Sequence, residues 1–121
     1  MKVLIVENKV ELAEIWRRHL AREIEQVDIA ASADEAIGRV AATDYAVVVI
    51  DLSLAEGDSP ISVADYVQYR RPDCRIIYVT DRTFFSDGSI FSITPQLRAL
   101  VPADSTPEDL AALVEHYGNR S

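Results

Sequence analysis

The sequence predicts an α/β fold, a parallel sheet covered by helices on both faces, and three features carry that prediction. Short β-branched runs alternate with segments of helical period along the whole chain, the rhythm of strands joined by right-handed crossovers. The central run, Tyr45-Ala46-Val47-Val48-Val49-Ile50-Asp51-Leu52-Ser53-Leu54, carries no polar residue before Asp51 to mark a solvent face, so it suits a strand buried on both sides. Several runs also close on polar residues: Glu7-Asn8, Asp51, and Thr80-Asp81. Parallel strands all point one way, so these residues share the edge where open α/β sheets bind ligands.

Taken in order, Lys2 to Val6 is an apolar run of strand length. From Val10 to Glu25 the period lengthens, with Leu12, Ile15, Trp16, Leu20 and Ile24 forming one apolar helical face and Glu11, Glu14, Arg17, Arg18 and Arg22 the other. Trp16 and His19 lie on or beside that stripe and are expected to pack. Val27 to Ala30 is short, as an edge strand would be. Ser32-Ala33-Asp34-Glu35 has capping-box spacing and opens a helix with Ala36, Ile37, Val40 and Ala41 inward; Thr43-Asp44 ends it.

After the central run, Ala55-Glu56-Gly57-Asp58 is a loop by composition. Ser59-Pro60 then reads as an N-cap with proline at the first helical position. Ile61 to Arg71 would bury Val63, Ala64, Tyr66 and Val67, and Arg71-Pro72-Asp73 stops it. Arg75 to Thr80 is a further strand. Asp81 to Pro95 holds Gly88, Pro95, Phe84, Phe85 and Phe91, so a helix there is expected to be short or irregular. Leu97 to Val101 is the last strand. Thr106-Pro107 caps a closing helix striped by Leu110, Leu113, Val114 and Tyr117.

At 121 residues the chain is expected to be one domain with a real core. A net charge of −8, from 20 acidic and 12 basic residues, opposes binding to a phosphate backbone. The only basic doublets, Arg17-Arg18 and Arg70-Arg71, read as solvated helix faces or ends. The lone Cys74 excludes an internal disulfide, offers no metal framework and should pack as a small apolar residue. No apolar run approaches the ~20 residues that span a bilayer, and the start of the chain enters a strand without a signal-peptide pattern. The expectation is a cytoplasmic protein with neither nucleic acid nor membrane as a partner.

Three acidic side chains and a hydroxyl thus meet at one edge. Carboxylates converging without a cation repel, so either a hard cation such as Mg²⁺ sits among them or one has a raised pKa. With these residues in view, the chain resembles the receiver domain of two-component response regulators over essentially its whole length. Lys2-Val3-Leu4-Ile5-Val6-Glu7-Asn8 resembles that family's opening strand and acidic pair, Ile50-Asp51-Leu52-Ser53-Leu54 its phosphoacceptor strand, and Tyr78-Val79-Thr80 its strand with the switch hydroxyl. Glu56-Gly57-Asp58 resembles the loop after the acceptor, and Ser105-Thr106-Pro107-Glu108-Asp109-Leu110 the entry to the last helix.

The resemblance implies a flavodoxin-like, doubly wound, five-stranded sheet in the order 2-1-3-4-5, forming a single receiver-like domain over residues 1–121 without an output domain. It implies Asp51 as phosphoacceptor, Thr80 as switch hydroxyl, and Mg²⁺ held by Glu7, Asn8, Asp51 and the Ser53 backbone carbonyl. The partners implied are a histidine kinase or phosphotransfer protein and a downstream protein target. The role is a non-enzymatic one in a phosphorelay.

The sequence also departs from the family pattern. Asn8 replaces an acid that binds the metal. The phosphoryl-binding lysine and the proline after it fall on Ala103 and Asp104. Asp81 takes a position that is usually small, and Leu100 that of the switch aromatic. Glu7, Asp51 and Asp81 without the lysine sum to −3, a poor host for an incoming phosphoryl group. Lys9, two residues after Glu7, and Arg82, directly after Asp81, are the cations of which one would compensate from a new direction. These departures mark an atypical receiver and keep open a phosphorylation-independent interaction module. A small enzyme on the same fold is disfavoured: Glu7-Asn8-Lys9 is no phosphate cradle, and His19 and His116 lie on helices away from the edge.

Overall fold

The structure, a computed structural model, describes residues 1–53, 59–80, 96–102 and 105–118. Five strands, β1 (Lys2–Val6), β2 (Gln26–Ala30), β3 (Val47–Asp51), β4 (Arg75–Thr80) and β5 (Leu97–Pro102), form one sheet in the order β2-β1-β3-β4-β5, every pair parallel. Among the described residues the helices are α1 (Val10–Leu20), α2 (Ala33–Ala42), α3 (Pro60–Arg70) and α4 (Pro107–Gly118). The expected short or irregular helix falls at 81–95, outside the described residues, as do Asp81, Arg82, Phe84, Phe85, Phe91, Ala103 and Asp104.

Strand alternation sorts the core into two layers. Leu4, Val6, Val48, Ile50, Ile76 and Tyr78 pack against Ala36 and Val40 of α2 and Val63, Ala64 and Val67 of α3. Val3, Ile5, Val47, Val49, Ile77, Val79 and Val101 pack against Trp16 and Leu20 of α1 and Leu110 and Val114 of α4. β1, β3 and β4 contribute buried side chains to both layers, which is why their runs read as continuously apolar. β2 is the half-buried edge its brevity suggested.

Capping follows the sequence closely. Ser32 Oγ accepts from Glu35 N–H at 3.2 Å, and the Glu35 carboxylate accepts from Ala31 N–H at 2.8 Å, one residue ahead of the expected partner. Ser59 Oγ accepts from Ser62 N–H at 3.1 Å with Pro60 opening α3, and Thr106 Oγ1 accepts from Asp109 N–H at 3.1 Å.

Some expectations are corrected. α1 ends at Leu20 rather than Glu25, and Ile15, expected inside, is 40% exposed; Ala13 takes the buried position on that turn instead. The Arg70-Arg71 doublet is not merely solvated. Arg71 Nε donates to the Val40 carbonyl at 3.1 Å and its Nη2 to Ala41 at 3.3 Å, with Arg70 Nη2 on Ala41 at 3.5 Å. α3 therefore satisfies the open carbonyls at the end of α2. Cys74 is buried as expected, and burial pushes its thiol pKa up to about 12, which leaves it inert. No helix among the described residues is long and apolar enough to cross a membrane.

Candidate functional site

The sheet register assembles the site. Val6 lies opposite Ile50, so Glu7, one residue on, comes level with Asp51; Asp51 in turn lies opposite Val79, and Thr80 follows it. Hydrogen bonding continues past the strand ends, with Glu7 N–H on the Ala30 carbonyl at 3.0 Å and Leu52 N–H on Val79 at 2.8 Å. Glu7 and Asp51 are thus fixed by their backbones before any ligand arrives. By alternation, Glu7 follows Val3 and Ile5, and Asp51 follows Val47 and Val49, so both carboxylates belong to the α1 and α4 face.

Glu7, Asp51 and Thr80, all from the sequence-derived site, are the buried polar residues among those described, at 0%, 4% and 5% exposure. Each carboxylate is anchored by the backbone N–H two residues on: Lys9 N–H donates to Glu7 Oε1 at 2.9 Å, and Ser53 N–H donates to Asp51 Oδ1 at 2.7 Å. These anchors were not foreseen, because sequence assigns side chains and says little about which main-chain groups turn inward. Ser53 was expected to act through its carbonyl; what the structure shows is its N–H donating to Asp51.

The electrostatics express the crowding of two acids. Desolvation raises the Glu7 pKa to about 8, with the hydrogen-bonding neighbour Asp51 and its charge pushing the same way, while Lys9 draws it down through its N–H and its charge. Without a cation, Glu7 is therefore largely protonated near neutrality, the second of the two outcomes the sequence allowed. Glu7 Oε2 and Asn8 Oδ1 are buried and accept from no donor, whereas a protonated Glu7 would itself donate to Asp51. Hard oxygen atoms of this kind, Glu7 Oε2 next to Asp51 and Asn8 Oδ1 one residue on, are suitable ligands for a small divalent cation such as Mg²⁺. No group of three or more His, Cys, Asp or Glu side chains able to hold a metal occurs among the described residues, so such an ion would rest on two carboxylates and the Asn8 amide oxygen.

The histidines stay away from this edge. His19 Nδ1 meets the Ile15 carbonyl at 2.9 Å and its Nε2 meets Glu108 Oε1 at 3.1 Å, tying α1 to α4. His116 stacks edge-on against Tyr117. Neither histidine has Glu7 or Asp51 as its partner in these contacts.

Compared with protein-family models and with curated proteins, the chain matches none. Solved structures match it closely in shape. A CheY-like response regulator receiver domain protein from Methanospirillum hungatei superposes with a TM-score of 0.85 at 21% identity, over 98% of this chain and 93% of the other. The response regulator TrrA from Thermotoga maritima, in complex with Mg²⁺ and BeF, gives 0.81 at 20% identity, over 96% and 97%. The fold is that of a response regulator receiver domain. The receiver fold is not confined to proteins described that way: an adenylate cyclase chain from Rhodopirellula baltica gives 0.85 at 15% identity, over 96% of this chain and 85% of that one. On the receiver fold, the edge holding Glu7, Asn8, Asp51 and Thr80 is the carboxyl edge of β1, β3 and β4.

Proposed function

We propose that this protein is an atypical receiver in a two-component or phosphorelay pathway, with Asp51 as the phosphoryl acceptor and protein–protein interaction as its output. The observation that carries this reading is the buried Glu7–Asp51 pair with the orphaned Glu7 Oε2 and Asn8 Oδ1 beside it. A protein without use for a ligand there gains nothing from burying two acids side by side, one of them forced to hold a proton, next to an amide oxygen that accepts from no donor. The receiver fold, shared with TrrA in its Mg²⁺ complex, supports the same reading.

In this proposal Glu7, Asn8, Asp51 and the Ser53 carbonyl would hold Mg²⁺, which when bound would supply positive charge against the acids and the incoming phosphoryl oxygens. The Asp51 carboxylate attacks phosphorus, a P–O bond forms, and the P–N bond of a donor phosphohistidine breaks with its electron pair returning to the imidazole. Ser53 N–H keeps Asp51 oriented for that attack, and Glu7 must give up its proton before it can act as a ligand. The Thr80 hydroxyl then bonds a phosphoryl oxygen and draws the end of β4 toward the modified Asp51. The donor is a histidine kinase or phosphotransfer protein, and the receiver of the signal is a protein that reads the surface above this edge.

A second reading, an interaction module that never takes phosphate, is favoured by one observation: Asn8 and Ala103 stand where the family has a metal-binding acid and a lysine. Incubation with Mg²⁺ and acetyl phosphate followed by intact mass measurement separates the two. The proposal expects one phosphoryl adduct, absent from Asp51→Asn. No adduct from acetyl phosphate or from any histidine kinase of the same cell would establish the second reading.

A further inference from the structure

A phosphoryl group arriving at Asp51 meets Glu7 and Asp51, and the cation that receivers carry before the last helix is absent from the sequence between Leu97 and Pro107, where only Arg98 is basic. Some other positive charge must face it. The structure brings one to the same edge from the opposite side. Lys9 is pinned to the site by its own N–H on Glu7 Oε1 at 2.9 Å. It occupies the N-cap position of α1 without making a side-chain cap bond. Its side chain is exposed, and among the described residues its ammonium forms no ion pair. Its charge nevertheless acts on the buried Glu7 carboxyl. A flexible four-carbon stem carrying a point charge can swing over an anion bound beside Glu7.

Resting on the receiver reading above, the geometry points to Lys9 as the phosphoryl-facing cation of this site, supplied from the β1–α1 junction instead of the β5–α4 junction. Lys9 is a charge donor in this step and moves no proton. With acetyl phosphate as donor, the bond from Asp51 oxygen to phosphorus forms, the phosphorus–oxygen bond to acetate breaks, and acetate leaves with the electron pair. Lys9 lowers the cost of the three phosphoryl oxygens gathering beside two acids, which is worth most in the transition state, where that charge is held closest. The same charge makes Lys9 an adversary of the metal, because it already acts on Glu7, a carboxylate that would hold Mg²⁺.

That opposition gives a test with two independent readouts. Lys9→Ala, Lys9→Arg and Asp51→Asn are compared with the wild type for the rate of Asp51 modification by acetyl phosphate at saturating Mg²⁺, and for Mg²⁺ affinity by calorimetry without any phosphoryl donor. The expected result is a modification rate at least about tenfold lower in Lys9→Ala and largely restored in Lys9→Arg. Mg²⁺ should bind a few-fold more tightly in Lys9→Ala as the competing charge is removed. Modification and Mg²⁺ binding both unchanged in Lys9→Ala, with the wild type modified at Asp51, would overturn the role of Lys9 and leave the receiver reading intact. Tighter Mg²⁺ binding without a slower rate would place Lys9 at the metal only and also overturn it. A wild type that takes neither Mg²⁺ nor phosphate would overturn the receiver reading and this inference together.

Discussion

Glu7 carries the site's largest electrostatic strain, and its titration has a definite sign. Its folded pKa of about 8 stands above its ordinary value of 4.5, so the folded protein holds a proton that the unfolded chain releases between those values. In the metal-free protein, the Glu7 contribution to stability is therefore fully present below about pH 4.5 and is lost as pH rises to and through 8, by up to a few kcal/mol. Urea denaturation across that range should show the decline, and Glu7→Gln, which keeps the shape and cannot ionise, should flatten it. The acids with lowered pKa do not compete in this window. Asp28, for example, is partly buried, which pushes it up, but hydrogen bonds from Tyr45 at 2.6 Å and Gln26 at 2.9 Å outweigh that and bring it down, so its contribution disappears only under acid conditions. Tyr45, desolvated and bonded to Asp28, is raised to about 12 and stays a donor throughout.

Among the elements, the contact between α2 and α3 offers a local test. Arg71, half-buried, closes the end of α2 through the Val40 and Ala41 carbonyls, whereas Arg70 makes one long, exposed bond to Ala41. Arg71→Ala should cost about 1–2 kcal/mol in denaturant unfolding and Arg70→Ala much less. Most element identities were readable from sequence because the signals were local and redundant. The β-branched run before Asp51 could be little else than a buried strand, and Ser32, Ser59 and Thr106 cap the helices they announced. Where reading from sequence fell short, the deciding contact was tertiary. Nothing near Arg71 in sequence says that α2 ends beside it, and the period of α1 continues in sequence past Leu20, where the chain turns toward β2. Ile15 was misplaced for a related reason: the buried face of α1 runs through Ala13, Trp16 and Leu20, which leaves Ile15 outside it.

For the whole molecule, the sheet order matters more than any single motif. β1 between β2 and β3 brings Glu7 beside Asp51 across 44 positions of sequence, and it is this register that makes separate polar endings into one site. The convergence of Glu7, Asp51 and Thr80 was visible in the sequence because every parallel strand ends at the same edge. The backbone anchors from Lys9 and Ser53, and the orphaned oxygens of Glu7 and Asn8, emerged only from the folded chain. A ligand that binds the native state alone stabilises it by mass action. Millimolar Mg²⁺ should therefore raise the thermal midpoint of the wild type by several degrees, and should do so far less in Asp51→Asn, which keeps the shape of the pocket and lacks its charge.

The claim on which the rest depends is that the Glu7, Asn8 and Asp51 oxygens are a cation pocket serving Asp51. A crystal structure of the protein grown with Mg²⁺ and beryllofluoride, a tetrahedral stand-in for a phosphoryl group on a carboxylate, tests it most directly. The predicted result is an ion at about 2.1 Å from Asn8 Oδ1 and an Asp51 oxygen, with beryllium bonded to Asp51 and the Lys9 ammonium facing a fluorine. An Asp51 carboxylate left bare, with Glu7 still paired to it and no ion on Asn8, would contradict the account.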